Sequence, residues 1–182
     1  MNDVITGPIV LSAKVAAFSL PLFLIFGVGF GYILGRWRSP GTIALDFVIT
    51  LPLVFPPIAT GFLLLLLLGR EGPLGKPLKN LFGVEIIFSF WGVMLAAFIA
   101  GLPLMVKTVQ AAIRSETLRM MEVSAVLGKS DLTTFLQVTL PSIKKSIAAG
   151  LFMAIARTLG EVGITLMLGG NIVGRTNTIS LE

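Results

Sequence analysis

Arg157 and Glu161 lie four residues apart inside an otherwise apolar run, Ile147 to Leu168. A lone charge at the centre of a bilayer costs about 2.5–3.5 kcal/mol on insertion scales, so such groups face the interior of a bundle and pair. The i, i+4 spacing permits a mutual ion pair. Two roles fit it, a polar group beside a pathway through the membrane or a lock between helices, and Gly160 and Gly163 allow the close backbone approach either requires. A second apolar run holds Pro52, Pro56 and Pro57. Proline removes a donor and clashes with the preceding turn, so a continuous helix is not expected there. Non-helical backbone at membrane depth is tolerated only against protein or a water-filled cavity. The break at Pro56 and Pro57 is therefore either a pathway lining or a structural kink.

Other chemistry is excluded by residue type. The chain has no cysteine and no histidine, which removes disulfides, thiolate clusters, imidazole metal sites and Ser-His-Asp catalysis. Gly128-Lys129-Ser130 ends like a phosphate-binding loop. However, the first glycine of that motif would fall at Val123 and no buried strand precedes it, so ATP is not expected to bind. Gly27, Gly29 and Gly31 lack dinucleotide spacing and lie within an apolar run. No catalytic residue, cofactor or metal is expected in this chain.

These residues sit in a chain of 182 residues that is 55% hydrophobic and 13% charged, with mean hydropathy +0.96. Soluble domains carry about 25% charged residues, so the composition implies an all-α, polytopic membrane bundle. Four spans are expected, at about Leu11–Leu34, Ile43–Leu68, Ile86–Val106 and Ile147–Leu168, each near the roughly 20 residues a helix needs to cross the hydrocarbon. The first carries Lys14 and no basic segment ahead of it, so it reads as a retained span and not a signal peptide. Gly27, Gly31 and Gly35 mark one face of that span for close helix packing.

The net charge of +5 flanks the spans instead of forming an aromatic-interleaved patch, which argues for membrane topology and against nucleic acid. One side holds Arg36, Arg38, Lys107, Arg114, Arg119, Lys129, Lys144 and Lys145; the other holds Arg70, Lys76, Lys79 and Arg175. The richer side is expected to be cytoplasmic, with the N-terminus outside. Trp37 and Trp91 fall near span ends, as indoles prefer. The tail from Asn171 to Glu182 is expected to emerge outside and stop there.

Lys107 to Lys145 is too polar to span. Glu116 to Leu127 predicts a helix with Leu118, Met121, Val123, Val126 and Leu127 as its apolar positions, ended by Gly128 in the left-handed conformation. Ser130 predicts the N-cap of a second short helix carrying Leu132, Phe135, Leu136 and Val138, with Asp131 in its first turn. Pro141 ends that unit. The product is an elbow spanning residues 116–141 with an apolar face, either lying on the membrane surface or docking a soluble partner.

Glu122-Val123-Ser124, Gly128 and Val138-Thr139-Leu140-Pro141 keep the spacing of the EAA loop of ABC import permeases, which this segment resembles. Val123 and Ser124 replace the two alanines and Val138 replaces isoleucine. The resemblance implies a single permease domain over residues 1–182, not itself catalytic. It also implies ATP and Mg in two copies of a separate cytoplasmic ATPase, and Glu122, Ser124, Gly128, Leu140 and Pro141 as the residues that couple to it.

A wider resemblance, to molybdate permeases, covers nearly the whole chain. It is carried by Leu51–Pro57, Gly69–Gly75, Leu102–Val106, Ala156–Gly163 and Gly170–Thr176. Sulfate and tungstate permeases share the Glu-containing fourth span and the Gly-Asn-Ile segment, and Val162 stands where molybdate and sulfate members commonly have an aromatic residue. What the resemblance implies is an importer of molybdate, or alternatively of sulfate, thiosulfate or tungstate, in the cytoplasmic membrane. Its partners would be a second permease copy, a periplasmic or lipid-anchored oxyanion-binding protein and membrane lipid. Pro56, Pro57, Arg157 and Glu161 would line the translocation path. Such permeases usually continue into one more helix beyond Glu182, so the chain is expected to be a fragment or a shortened product. Rival classes are a membrane-embedded enzyme using Glu161 and Arg157, which would turn over without a partner, and a secondary carrier, which would have no need of a docking elbow.

Overall fold

The computed structural model describes residues 2–83, 85–172 and 175–181, and every regular element among them is helical. Helix α1 (Thr6–Arg36) and helix α5 (Phe90–Ser115) are each long and apolar enough to cross a membrane alone. Between them run α2 (Pro40–Val54), α3 (Pro57–Leu68) and the short α4 (Gly75–Phe82). After α5 come α6 (Leu118–Val126), α7 (Asp131–Ser142), α8 (Lys144–Leu159) and α9 (Gly163–Gly169).

The all-α class holds, and the expected spans are modified in three places. The second is split: α2 and α3, of 15 and 12 residues, reach only about 22 and 18 Å at 1.5 Å per residue, short of the roughly 30 Å hydrocarbon. Pro56, at φ −55° and ψ 135°, sits in the break, and Pro57 takes the first helical position where its missing donor costs nothing. The third span continues past Val106 to Ser115, because Lys107 is neutralised by Asp46 of α2 at 2.7 Å. The fourth is broken after Leu159, and α7 meets α8 at a bend of 71°.

Two compact units form, each from separated segments: Met1–Pro21, Leu51–Gly101 and Ile155–Glu182 make one, Leu22–Thr50 and Leu102–Ala154 the other. In the first, Ala96 and Ala100 of α5 pack with Ile164 and Leu168 of α9 in a fully buried cluster. A second cluster joins Val15 to Val93 and Ala97. Alanine at these positions brings the α5 backbone close to its neighbours. Glu85, between α4 and α5, bonds Lys79 of α4 at 2.9 Å and Arg70 at 3.0 Å. Lys79, then Arg70, hold its carboxyl below the usual carboxylate range.

In the second unit the glycine stripe packs as its spacing predicts. Gly27, Gly31 and Gly35 of α1 face Met105, Val109 and Ile113 of α5, four residues apart on both helices. Leu34, Ile49 and Val106 form the adjoining core. A Cβ at Gly31 would lie 2.6 Å from Val109 Cβ and 3.1 Å from the Val106 carbonyl oxygen. Gly31→Leu is therefore expected to destabilise by about 2–3 kcal/mol, read as a lowered unfolding temperature in detergent. Gly29→Leu, whose Cβ would meet nothing within 4 Å, should leave it unchanged.

Candidate functional site

The elbow is built by two complementary caps. Helix α6 ends in a Schellman turn: the Lys129 N–H donates to the Ser124 carbonyl (3.1 Å) and the Gly128 N–H to the Ala125 carbonyl (3.0 Å), with Gly128 at φ 72°. Two residues after Gly128, Ser130 Oγ accepts from the Thr133 N–H (3.2 Å) and opens α7. Both caps stand where Gly128 and Ser130 predict them. Ser124 Oγ then bonds Thr134 Oγ1 at 2.8 Å between the two helices, with both residues buried.

Most of the elbow's apolar positions are turned outward, as its expected apolar face requires. Met121 is buried and Leu118, Phe135 and Val138 are half-buried, but Val123, Val126, Leu127, Leu132 and Leu136 are exposed, Val126 to 88%. The small polar residues Ser124, Thr134 and Thr139 take the inner positions instead. Their hydroxyls are satisfied there, Ser124 by Thr134 across the elbow and Thr139 by the Thr134 carbonyl. A groove of about 230 Å³ between Met120, Val123, Leu127 and Val138 remains on the outer face. Glu122 is exposed with no hydrogen bond or ion pair among the described residues; the side chain of Glu116 lies outside them.

The elbow is also tied to α1. Arg36, in the last turn of α1, pairs with Asp131, in the first turn of α7, at 2.5 Å and donates to Tyr32 Oη at 2.6 Å. Each charge sits at the helix end whose dipole favours it. The Tyr32 and Phe135 rings meet edge to face at 4.8 Å. Leu140 is half-buried and Pro141 exposed at the far end of α7. A π-helical stretch, Phe135–Thr139, precedes Pro141 and opens the helix where the proline ring would otherwise strike the carbonyl of the preceding turn.

The second constellation lies in the other unit. Arg157 and Glu161 form the expected ion pair, Nη1 to Oε2 at 2.5 Å, with the Glu161 side chain fully buried and that of Arg157 29% exposed. One continuous helix was the expectation; instead Arg157 is in the last turn of α8 and Glu161 lies within the break that follows it. Glu161 Oε1 accepts from the Ile164 N–H at 2.8 Å and so caps the N-terminus of α9. Gly163 presses its backbone against Pro57 and Ile58 at the N-terminus of α3, and Gly61 against Ile164 and Met167. The breaks in the second and fourth spans therefore adjoin, with Pro57 against Gly163, two residues of chain after Glu161. Pro56 is exposed beside it.

Several supporting residues were not legible. Thr158 Oγ1 donates to the Ala97 carbonyl at 3.1 Å, and Ser180 Oγ reaches the freed carbonyls of Leu159 (2.9 Å) and Glu161 (3.2 Å). Ser12 Oγ accepts from the Ile179 N–H at 3.0 Å. The tail after Gly170 thus folds back on the break instead of leaving the bundle. Thr176 Oγ1 donates to the Gly169 carbonyl at 2.6 Å and fixes the turn. Val173, Gly174 and Glu182 of that segment lie outside the described residues.

Apolar spanning helices, a doubly broken core carrying one buried ion pair and a capped elbow define a polytopic α-helical membrane component. The chain belongs to the family of binding-protein-dependent transport system inner membrane components, which it matches over residues 27–181. It is 38% identical over 171 residues to the molybdenum transport system permease protein ModB of Escherichia coli K12, covering 94% of this chain and 75% of the relative. It is 40% identical over 138 residues to the probable transport system permease protein NifC of Clostridium pasteurianum, covering 76% and 48%. The sulfate transport system permease protein CysW of Synechococcus elongatus is 35% identical over 171 residues, covering 94% and 59%.

Proposed function

We propose that this chain is the membrane-spanning permease subunit of an ATP-driven importer that moves molybdate across the cytoplasmic membrane. The elbow faces the cytosol and is worked by a separate ATPase that holds the ATP and Mg; a second permease copy and an oxyanion-binding protein complete the assembly. The observation that carries this reading is the elbow's construction. A mechanical handle must be stiff and must offer a surface to grip. Stiffness comes from the Schellman turn at Gly128, the Ser130 cap and the Ser124–Thr134 bond. The grip is the outward apolar set, with Val126 88%, Leu127 72% and Leu132 67% exposed. Glu122 shares that outer surface, and a carboxylate there suits a protein groove with a cation better than acyl chains. Docking is therefore favoured over lying on the membrane.

The cargo reading rests on the molybdenum-transport relatives together with the doubly broken core. N-termini of interrupted membrane helices present unpaired N–H groups and a positive dipole end, which suit an anionic cargo. Helix α3 begins at the joined breaks, whereas the N-terminus of α9 is already taken by the Glu161 carboxylate. Of the ion pair, Arg157 is the partially exposed half, so its free donors are the ones an oxyanion can reach, while Glu161 stays committed to the α9 N-terminus.

Co-purification of the full chain with the ATPase subunit and reconstitution in vesicles tests the proposal. Molybdate delivered by its binding protein is expected to stimulate ATP hydrolysis and to accumulate inside. Glu122→Ala should reduce uptake at least tenfold while the protein inserts and unfolds as the parent does. Stimulation by sulfate and not molybdate would overturn the cargo, and undiminished uptake by Glu122→Ala would remove that residue from coupling.

A further inference from the structure

A polar cavity of about 260 Å³ opens where α1 ends and α2 begins, lined in part by Arg38, Thr42, Asp46, Gln110 and Arg114. None of these residues has a part in the elbow or at the helix breaks. Gln110 is the informative one. It is only 5% exposed, yet its carboxamide makes no hydrogen bond among the described residues. Its polar atoms are open to the cavity it lines, so an otherwise buried side chain presents an unused donor and acceptor there.

The charge around it selects the ligand. Arg114 uses one N–H on the Leu34 carbonyl at 2.7 Å, leaving further guanidinium donors. Arg38 has no ion-pair partner among the described residues and is exposed. Asp46 is the one acid of the lining, and Lys107 neutralises it at 2.7 Å. Helix α2, of 15 residues, begins at the cavity with Ser39 Oγ accepting from the Thr42 N–H (3.3 Å), so its positive dipole end adds to the same sign. The site is cationic, with amide and hydroxyl groups to complete the shell of a phosphate.

We propose that this cavity binds the phosphate headgroup of an anionic membrane phospholipid. Basic pockets between membrane helices at the interface recognise such headgroups, and the Arg36-Trp37-Arg38 segment has the composition of that interface. The lipid source is favoured over a free oxyanion by α2 itself. Ile43 and Phe47, one turn apart and 67% and 66% exposed, extend an apolar strip from the cavity along which acyl chains can lie. A free anion has no use for such a strip. The assignment is independent of cargo and of which face is cytosolic.

Native mass spectrometry of the full chain, titrated with phosphatidylglycerol or with phosphatidylcholine of the same chains, tests this. Phosphatidylglycerol is expected to bind about tenfold more tightly, and Arg38→Gln to reduce that preference about fivefold, the worth of one interfacial cation. Gln110→Leu should also reduce it while leaving the unfolding temperature unlowered, since no internal bond is lost. Millimolar free phosphate should not displace the lipid. Equal binding of the two lipids, or a preference intact in both variants, would overturn the proposal. Displacement by free phosphate would also overturn it, assigning the cavity to a small oxyanion.

Discussion

Arg157→Ala is expected to cost about 3 kcal/mol of stability, because it leaves the Glu161 carboxylate buried without its counter-charge. Glu161 cannot relax into solvent: its side chain has no exposure, and its Oε1 is held by the Ile164 N–H at 2.8 Å. Uptake should fall to background with it, since the break between α8 and α9 is organised around that carboxylate. The double variant Arg157→Met with Glu161→Gln provides the sign test. A glutamine carbonyl still accepts from Ile164, and no charge remains to be neutralised, so the double variant should recover about 2 kcal/mol relative to Arg157→Ala while transport stays impaired. Thermal unfolding and uptake measured on the same preparations separate the two effects. Additive losses would show that the pair does not act as a unit.

Gly163→Val is expected to have the second largest effect. A Cβ at Gly163 would lie 2.7 Å from Pro57 Cβ and 2.8 Å from the Ile58 nitrogen. The second of these is backbone and cannot swing aside, so α3 and α9 must separate. That overpacking should cost about 3 kcal/mol and abolish transport by parting the two helix breaks. Gly160→Ala, whose Cβ would meet only the Ala156 carbonyl at an ordinary 3.5 Å, is the control and should be tolerated. Equal stability of the two variants in detergent would mean that the α3–α9 contact is not tight in the protein.

The contrast between these positions shows what a sequence can and cannot tell. Gly128 and Ser130 were legible because a left-handed C′ glycine and an N-cap serine are local devices, completed within six residues of chain. The glycine stripe of α1 was legible because helical periodicity alone puts it on one face. The split at Pro56 and Pro57 followed from the missing donors. By contrast, nothing local marks the break before α9. Arg157 and Glu161 have the spacing of a continuous helix, and the interruption is stabilised by partners far away in sequence, including Ser180 and the N-terminus of α3. Sequence marks Asp131 only as a first-turn acid favoured by the dipole, since its partner Arg36 is 95 residues earlier. The inward hydroxyls of the elbow were also hidden, because the Ser124–Thr134 bond runs between two helices and no spacing within either helix marks it.

The chain's lack of cysteine gives the most direct test of the elbow as a cytosolic handle for an ATPase. Val126→Cys introduces a single thiol at the most exposed apolar position of the elbow. A membrane-impermeant maleimide should leave it unmodified in intact cells and label it in opened membranes, and binding of the ATPase subunit should protect it again. Labelling in intact cells, or labelling unaffected by a bound ATPase, would contradict the account.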